Sequence, residues 1–581
     1  MDEMIFKPSR YVDVPHIDLL SWTFGNPEYD LNKPLFINAY NESESISYHQ
    51  AKCSVRKLIA GFRALGLKAG DSVCLHSFNN VNYSLIYLAV VGFGGRFVGS
   101  NPSWTSSELI HLFTLSEVKC VLTEPGFLSS VLPATKEVGI SSPNVFIFSS
   151  STEDQSSSSD LKLWTSLLDH GEEDWISFND EKQAKATTVA LMSTSGTTGM
   201  PKAAEISHYA QIAQSIMLYD SKEKPYQVIR LLCLPQFHAF NAPIAHIAPL
   251  REGHTTYVMK RYQPAKYTEF ISRYKISETT MVNPIIFNLL ALPESERAAL
   301  DSLRFVWCGG VALDAVVQNK LSGILNPDAI VAQVYGMTEI GWIVTMHFPE
   351  KDDTGSVGRL LPSMEAKIMD PLTNLPITTH SIPGEIYLRG PSLMTSYISN
   401  PHATKETIID GWLASGDIGY VSPEGKWYVT DRKKELIKVR GWQVSPTELE
   451  ACLLGHPMVK DVAVVGVDEG DERGEVPRAY VVLEGGEEWI MMDDKGDLNE
   501  KGGTRFNGIN GNTEMQEDIK LYLKGRLATY KVLAGGVKFV SRIPRSAAGK
   551  TLRKVLKDGQ KAENGIGALQ GAVYSNGHAG K

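Results

Sequence analysis

Apolar residues early in the chain switch between two periods. Over residues 48–65 they recur at helical spacing and run up to Gly66, a typical helix stop. Gly70-Asp71 is a turn signal, and residues 72–76 follow as a short strand. A second helix-like stretch, 81–91, runs into Gly92-Phe93-Gly94-Gly95, where a helix would stop. After a further helical stretch, residues 119–123 are strand-like. Later, 304–308 and 331–335 are strand-like runs that end in Gly309-Gly310 and Gly336. Strands alternating with helices predict an α/β layer architecture with ligand loops at strand ends.

The pattern breaks near Asp431. Residues 426–430 look like a strand, and Asp431-Arg432-Lys433-Lys434-Glu435 is a charge run. A compact strand, helix and strand pattern then extends to about residue 482. We therefore expect a large body over 1–430 and a smaller unit over 431–581. Residues 484–514, rich in Gly, Asp, Glu and Asn, read as an exposed insertion. Residues 149–159 read as a Ser-rich solvated loop, and after Lys550 a basic helix-like segment fades into a disordered Gly/Asn-containing tail. No repeat at solenoid periods is present.

Composition adds boundaries. The 581 residues, 43% hydrophobic and 21% charged, suit a soluble globular chain. By length alone they divide into roughly three or four units of ordinary size. The net charge of −9 argues against a nucleic-acid-binding body. Six cysteines show no metal-type spacing and read as reduced core thiols. The longest apolar run, residues 85–91, falls far short of the roughly 20 residues of a membrane span. Neither a signal pattern at the start nor a Ser-Lys-Leu type tripeptide at the end is seen, so a cytoplasmic location is expected.

The candidate chemistry begins at Ser193-Thr194-Ser195-Gly196-Thr197-Thr198-Gly199-Met200-Pro201-Lys202, after an apolar lead-in. Hydroxyls, close-approaching glycine N–H groups and one ammonium are what a phosphate cradle needs, although Ser/Thr/Gly clusters also form plain surface turns. The spacing is not that of a P-loop, which needs Gly-Lys-Ser/Thr opening a helix. A second motif, Gln333-Val334-Tyr335-Gly336-Met337-Thr338-Glu339, sets an aromatic after a strand and a carboxylate suited to Mg²⁺ beside phosphates. Asp417, in Ser415-Gly416-Asp417, suits a ribose diol, and a turn aspartate is the plainer reading.

Together these motifs resemble the adenylate-forming superfamily of acyl-CoA synthetases, 4-coumarate–CoA ligases, luciferases and peptide-synthetase adenylation domains. The resemblance spans roughly residues 30–555 with the motifs in the family's order. It implies a large multi-subdomain α/β body with a small mobile C-terminal α+β domain. It also implies the substrates ATP, with Mg²⁺, and CoA. In this likeness Ser193 to Gly199 and Lys202 hold phosphates, Gly309-Gly310 and Gln333 to Glu339 flank the adenine, and Glu339 attends the metal. Asp417 and Arg432 meet the ribose. Lys434 falls at the hinge position, Lys438 and Gln443 at active-site positions, and Arg440-Gly441 along the path of the thiol donor's arm. Ile543-Pro544-Arg545-Ser546-Ala547-Ala548-Gly549-Lys550 resembles the C-terminal signature and makes Lys550 the leading catalytic candidate. Leu234-Pro235-Gln236-Phe237-His238 resembles the substrate-side segment, which sets His238 beside the acyl carboxylate. Phe237, Val334, Met337 and Ile343 are the expected acyl pocket. Val334 and Trp342 depart from the pattern there, as Ala203-Ala204-Glu205 does after Lys202.

The implied activity is activation of an aromatic or medium-chain carboxylic acid through acyl-AMP to its CoA thioester. Loading of a separate carrier protein, a luciferase-like oxidation and a silent nucleotide-binding protein are the competing readings. A downstream acyltransferase or synthase is the expected consumer of the product.

Overall fold

A capping box starts the first long helix where the pattern predicts it. Ser47 Oγ accepts from Gln50 N–H, and the Gln50 side chain accepts from Ser47 N–H, so helix Tyr48–Ala64 begins with its first donors satisfied. The computed structural model describes residues 4–149, 161–194, 201–219, 224–310, 313–439, 442–468, 475–484, 513–545, 551–553 and 555–557. Nearly all of the expected Ser-rich loop and of the 484–514 insertion, and the tail after residue 557, lie outside the described residues.

Two mostly parallel sheets dominate. In the first, strands Lys162–Leu163, Val145–Ile147, Val118–Thr123, Ser72–His76, Arg96–Gly99 and Thr188–Thr194 run parallel, and Lys202–Ser207 closes the edge antiparallel. The second has nine strands, with a parallel centre made by Thr255–Val258, Ile229–Leu232, Glu278–Met281, Phe305–Cys308 and Ile330–Met337. One apolar cluster joins them through helices Tyr48–Ala64, Tyr83–Gly92 and His208–Tyr219. All ten residues of Tyr83–Gly92 are buried, which explains why that stretch reads as a continuous apolar run. Truncating one of its leucines to alanine costs about 2–5 kcal/mol.

A five-stranded antiparallel sheet follows, containing Gly384–Arg389, Trp412–Val421 and Trp427–Arg432. Its last strand carries Asp431, paired in register with Ile418, and Arg432, paired with Asp417, so the charge run starts inside this sheet. Beyond it the hairpin Ile437–Val439/Trp442–Val444, helices Pro446–Leu454 and Thr513–Lys524, and the sheet Val459–Asp468, Glu475–Leu483, Val537–Phe539 build their own apolar clusters. The result is a mixed α/β chain with a large N-terminal body and a smaller C-terminal part. The cysteines are all free, and no described helix is long and apolar enough to cross a membrane.

Candidate active site

The hydroxyl-rich motif connects two antiparallel strands. Ser193 pairs with Ala203 and Thr194 with Lys202, which sets Thr194 and Lys202 across from each other at the mouth of the hairpin. Ser195 to Gly199 lie outside the described residues. Ser193 Oγ is buried and has no hydrogen-bond partner among the described residues. The hairpin is anchored from outside: Pro201 O bonds His111 Nε2 at 2.8 Å, a brace the sequence does not announce. Burial holds the half-buried Lys202 ammonium below the ordinary lysine range, against the pull of the Glu339 carboxylate and with the nearby charge of Lys434 pushing the same way as burial.

Glu339 follows strand Ile330–Met337 and is 8% exposed. One carboxylate oxygen accepts from Tyr397 Oη at 2.6 Å. The Tyr397 ring lies under Lys202, with Nζ 3.9 Å from its centre. Tyr397 sits in a loop zipped to strand Lys202–Ser207: Ala204 bridges Tyr397, Ile398 N–H donates to Ala203 O, and Glu205 N–H donates to Ser396 O. Ala203 and Ala204 are almost fully buried, so the small residues that depart from the family pattern let this loop lie close. Met394 N–H also donates to Glu339 O at 2.7 Å. Two sequence motifs thus meet through a residue that neither contains.

Asp417 is the second meeting point. Tyr335 Oη donates to its Oδ2 at 2.9 Å, and Arg432 Nε approaches Oδ1 at 3.3 Å. Tyr335 is itself 8% exposed, so only a small part of its ring can face a ligand. Gln333 departs from the sequence expectation of a nucleotide contact. It is 2% exposed, its amide donates to Leu313 O, Gln318 Oε1 and Gly355 O, and it accepts from Leu313 N–H. It anchors the chain just beyond Gly309-Gly310 and has no described bond left for a base. Gly336, Met337 and Thr338 follow Tyr335 around the turn to Glu339.

In the segment expected to face the acid, His238 is exposed, and its Nδ1 accepts from Phe240 N–H at 3.2 Å. In the neutral ring the proton is therefore on Nε2. Phe240 stacks on Trp342 with centroids 5.1 Å apart and planes 17° from parallel. Trp342 Nε1 donates to Phe240 O at 2.8 Å, and Trp307 meets the Trp342 ring edge-on at 5.9 Å. A Cβ on Gly309 would lie 2.6 Å from the Phe240 ring, so glycine there lets the ring sit against the loop. Behind this wall Gln214 accepts from Trp342 N–H and donates to Trp342 O. Of the expected pocket residues, Phe237 and Met337 are partly exposed, Val334 is 7% exposed and Ile343 is wholly buried. Ile343 belongs to the core and shapes the wall only from behind.

Lys434 is exposed in the turn between strands Trp427–Arg432 and Ile437–Val439. Lys438 is exposed on the second of these, paired in register with Gln443. Arg440, Gly441 and Lys550 lie outside the described residues, as does the side chain of Gln443.

No cluster of three metal-type ligands exists among the described residues. A single carboxylate fits Mg²⁺, which is usually held by one or two carboxylates together with substrate phosphates. Glu339 offers that carboxylate across the Tyr397 ring from Lys202.

Comparison with known proteins shows the family and the fold. The family model described as AMP-binding enzyme matches residues 27–398, and its C-terminal domain model matches 448–550. The chain is 41% identical to phenylacetyl-CoA ligase epaB of Aspergillus niger, over 96% of this chain and 99% of that one. It is 40% identical to acyl-CoA ligase azaF of Aspergillus niger, over 95% of this chain and all of that one (100%). Its fold superposes on ATP-bound MatB from Rhodopseudomonas palustris with a TM-score of 0.79 at 24% identity, covering 94% of this chain and 99% of that one. The chain belongs to the AMP-binding enzyme family, the adenylate-forming enzymes.

Proposed function

We propose that this enzyme is an AMP-forming acid–CoA ligase whose acid is a compact monocarboxylic acid carrying an aromatic ring. The observation that carries the choice of acid is the wall made by Gly309, Phe240 and Trp342 beside His238: flat, apolar and closely packed. An aromatic ring gains from offset stacking on such a surface. The 41% identity to a phenylacetyl-CoA ligase supports the same class.

In the first half-reaction the acid's carboxylate oxygen bonds to the α-phosphorus of ATP, the bond to the β-phosphate's bridging oxygen breaks, and pyrophosphate leaves. Thr194, Lys202 and the hydroxyl-rich loop hold the phosphates, while Asp417 and Arg432 orient the ribose. Glu339 would hold Mg²⁺ together with the phosphates, and the ion would supply charge neutralisation there. Lys550 offsets charge that builds at the reacting phosphate, and His238 orients the acid. In the second half-reaction the CoA thiolate attacks the acyl carbonyl and AMP departs. Lys438, Gln443 and the Arg440-Gly441 backbone serve this step after the C-terminal unit turns at Lys434. Mass spectrometry of a panel of acids incubated with ATP and CoA tests the reading. Thioester and AMP from arylacetic or benzoic-type acids are expected, and AMP formation only with long-chain acids would sink it.

A further inference from the structure

Lys202 and Glu339 carry opposite charges on neighbouring elements, and yet no ion pair joins them. Tyr397 stands between. Its ring face takes the Lys202 ammonium at 3.9 Å, and its hydroxyl donates to a Glu339 oxygen at 2.6 Å. Each contact satisfies its charge without cancelling it. A cation over a ring stays a full cation, and a carboxylate bonded to a phenol stays an anion with its second oxygen available. The arrangement is built, since Tyr397 is 3% exposed and its backbone N–H donates to Thr404 Oγ1. The strand bridge at Ala204 and the bond from Met394 N–H to Glu339 O fix the loop from both sides.

We infer that Tyr397 is a positioning residue that keeps Lys202 and Glu339 apart, so that one remains ready for phosphate and the other for the accompanying divalent cation. With a shorter or saturated side chain in its place, the ammonium and carboxylate would collapse on each other. Incoming Mg-nucleotide would then have to break that pair before binding. The inference rests on reading this cluster as the nucleotide site.

The test is calorimetric titration of the full-length protein with α,β-methylene-ATP, once with Mg²⁺ and once with EDTA. Wild type should bind in both arms and more tightly with Mg²⁺; failure of wild type to bind at all would count against the nucleotide site itself. Tyr397→Phe keeps the ring and removes the hydroxyl. It should cut the Mg²⁺-dependent gain about 10-fold, the scale of a hydrogen bond to a charged group, and leave the EDTA arm nearly unchanged. Tyr397→Leu should weaken both arms, and adding Glu339→Gln should restore the EDTA arm by releasing Lys202. An unaltered Mg²⁺ gain in Tyr397→Phe, or equal losses in both arms, overturns the inference. If Tyr397→Leu does not fold, the phenylalanine variant decides alone.

Discussion

Tyr335 and Asp417, 82 residues apart, share a hydrogen bond of 2.9 Å, and Arg432 holds the other oxygen of the same carboxylate at 3.3 Å. The carboxylate is 6% exposed, so its direction is set before any ligand arrives. Strand pairing of Asp417 with Arg432 supplies one restraint, and the Tyr335 hydroxyl supplies the other.

Removing the phenol should loosen that carboxylate without emptying the site. Tyr335→Phe is expected to raise the KM for ATP about 10-fold with a much smaller change in kcat, the pattern of a lost hydrogen bond to a charged group. Steady-state kinetics at saturating acid and CoA check this. An equal fall in kcat at unchanged KM would contradict it.

The two lysines assigned to opposite half-reactions should separate. Lys550→Ala is expected to lower ATP–pyrophosphate exchange by at least about 100-fold, as removal of a transition-state charge does, while sparing thioester formation from supplied acyl-AMP. Lys438→Ala should show the reverse bias. Comparable losses in both assays for either variant would refute its assignment.

The aromatic wall makes a prediction about size. Trp342→Ala removes a side chain that is 1% exposed and should cost about 3–5 kcal/mol of stability. In the surviving enzyme the preference should move toward bulkier acids, read as relative kcat/KM in a competition of short and extended aryl acids. An unchanged order would show that the wall does not define the pocket.

Acid should destabilise the body before it protonates most carboxylates. His76, His208 and His246 are each at most 4% exposed, and burial pulls each down to about 4. His208 Nδ1 accepts from Leu19 N–H, and His246 lies between the rings of Tyr83 and Tyr87. The folded pKa lies below the unfolded one, so the contribution is full above about pH 6.5 and is lost as pH falls toward 4. At pH 5 each histidine should have cost about 2 kcal/mol relative to pH 7. Denaturant midpoints measured from pH 7 to pH 5 should fall steeply, and a flat profile would show these rings to be solvated.

Local patterns carried most of the fold. The helix expected over 48–65 forms as Tyr48–Ala64, and the strand expected over 72–76 forms as Ser72–His76, because capping, period and turn residues all agree there. The contacts that complete the site were less legible. Tyr397 reaches Glu339 across 58 residues, and Trp342 reaches Phe240 across 102, with no periodicity linking either pair. Gln333 shows the converse: a residue inside a strong motif whose amide is spent on holding a loop. Motifs mark where a site is, whereas the division of labour within it depends on which strands become neighbours.

Every described side chain that would grip nucleotide, from Thr194 through Lys202, Glu339 and Asp417 to Arg432, precedes the turn at Lys434. The zipper between strand Lys202–Ser207 and the Tyr397 loop ties Lys202 and Glu339 into one unit on that side. On the proposed function, the consequence would be an order of arrival: ATP would load and wait in the body, and the C-terminal unit would engage once there is something to react.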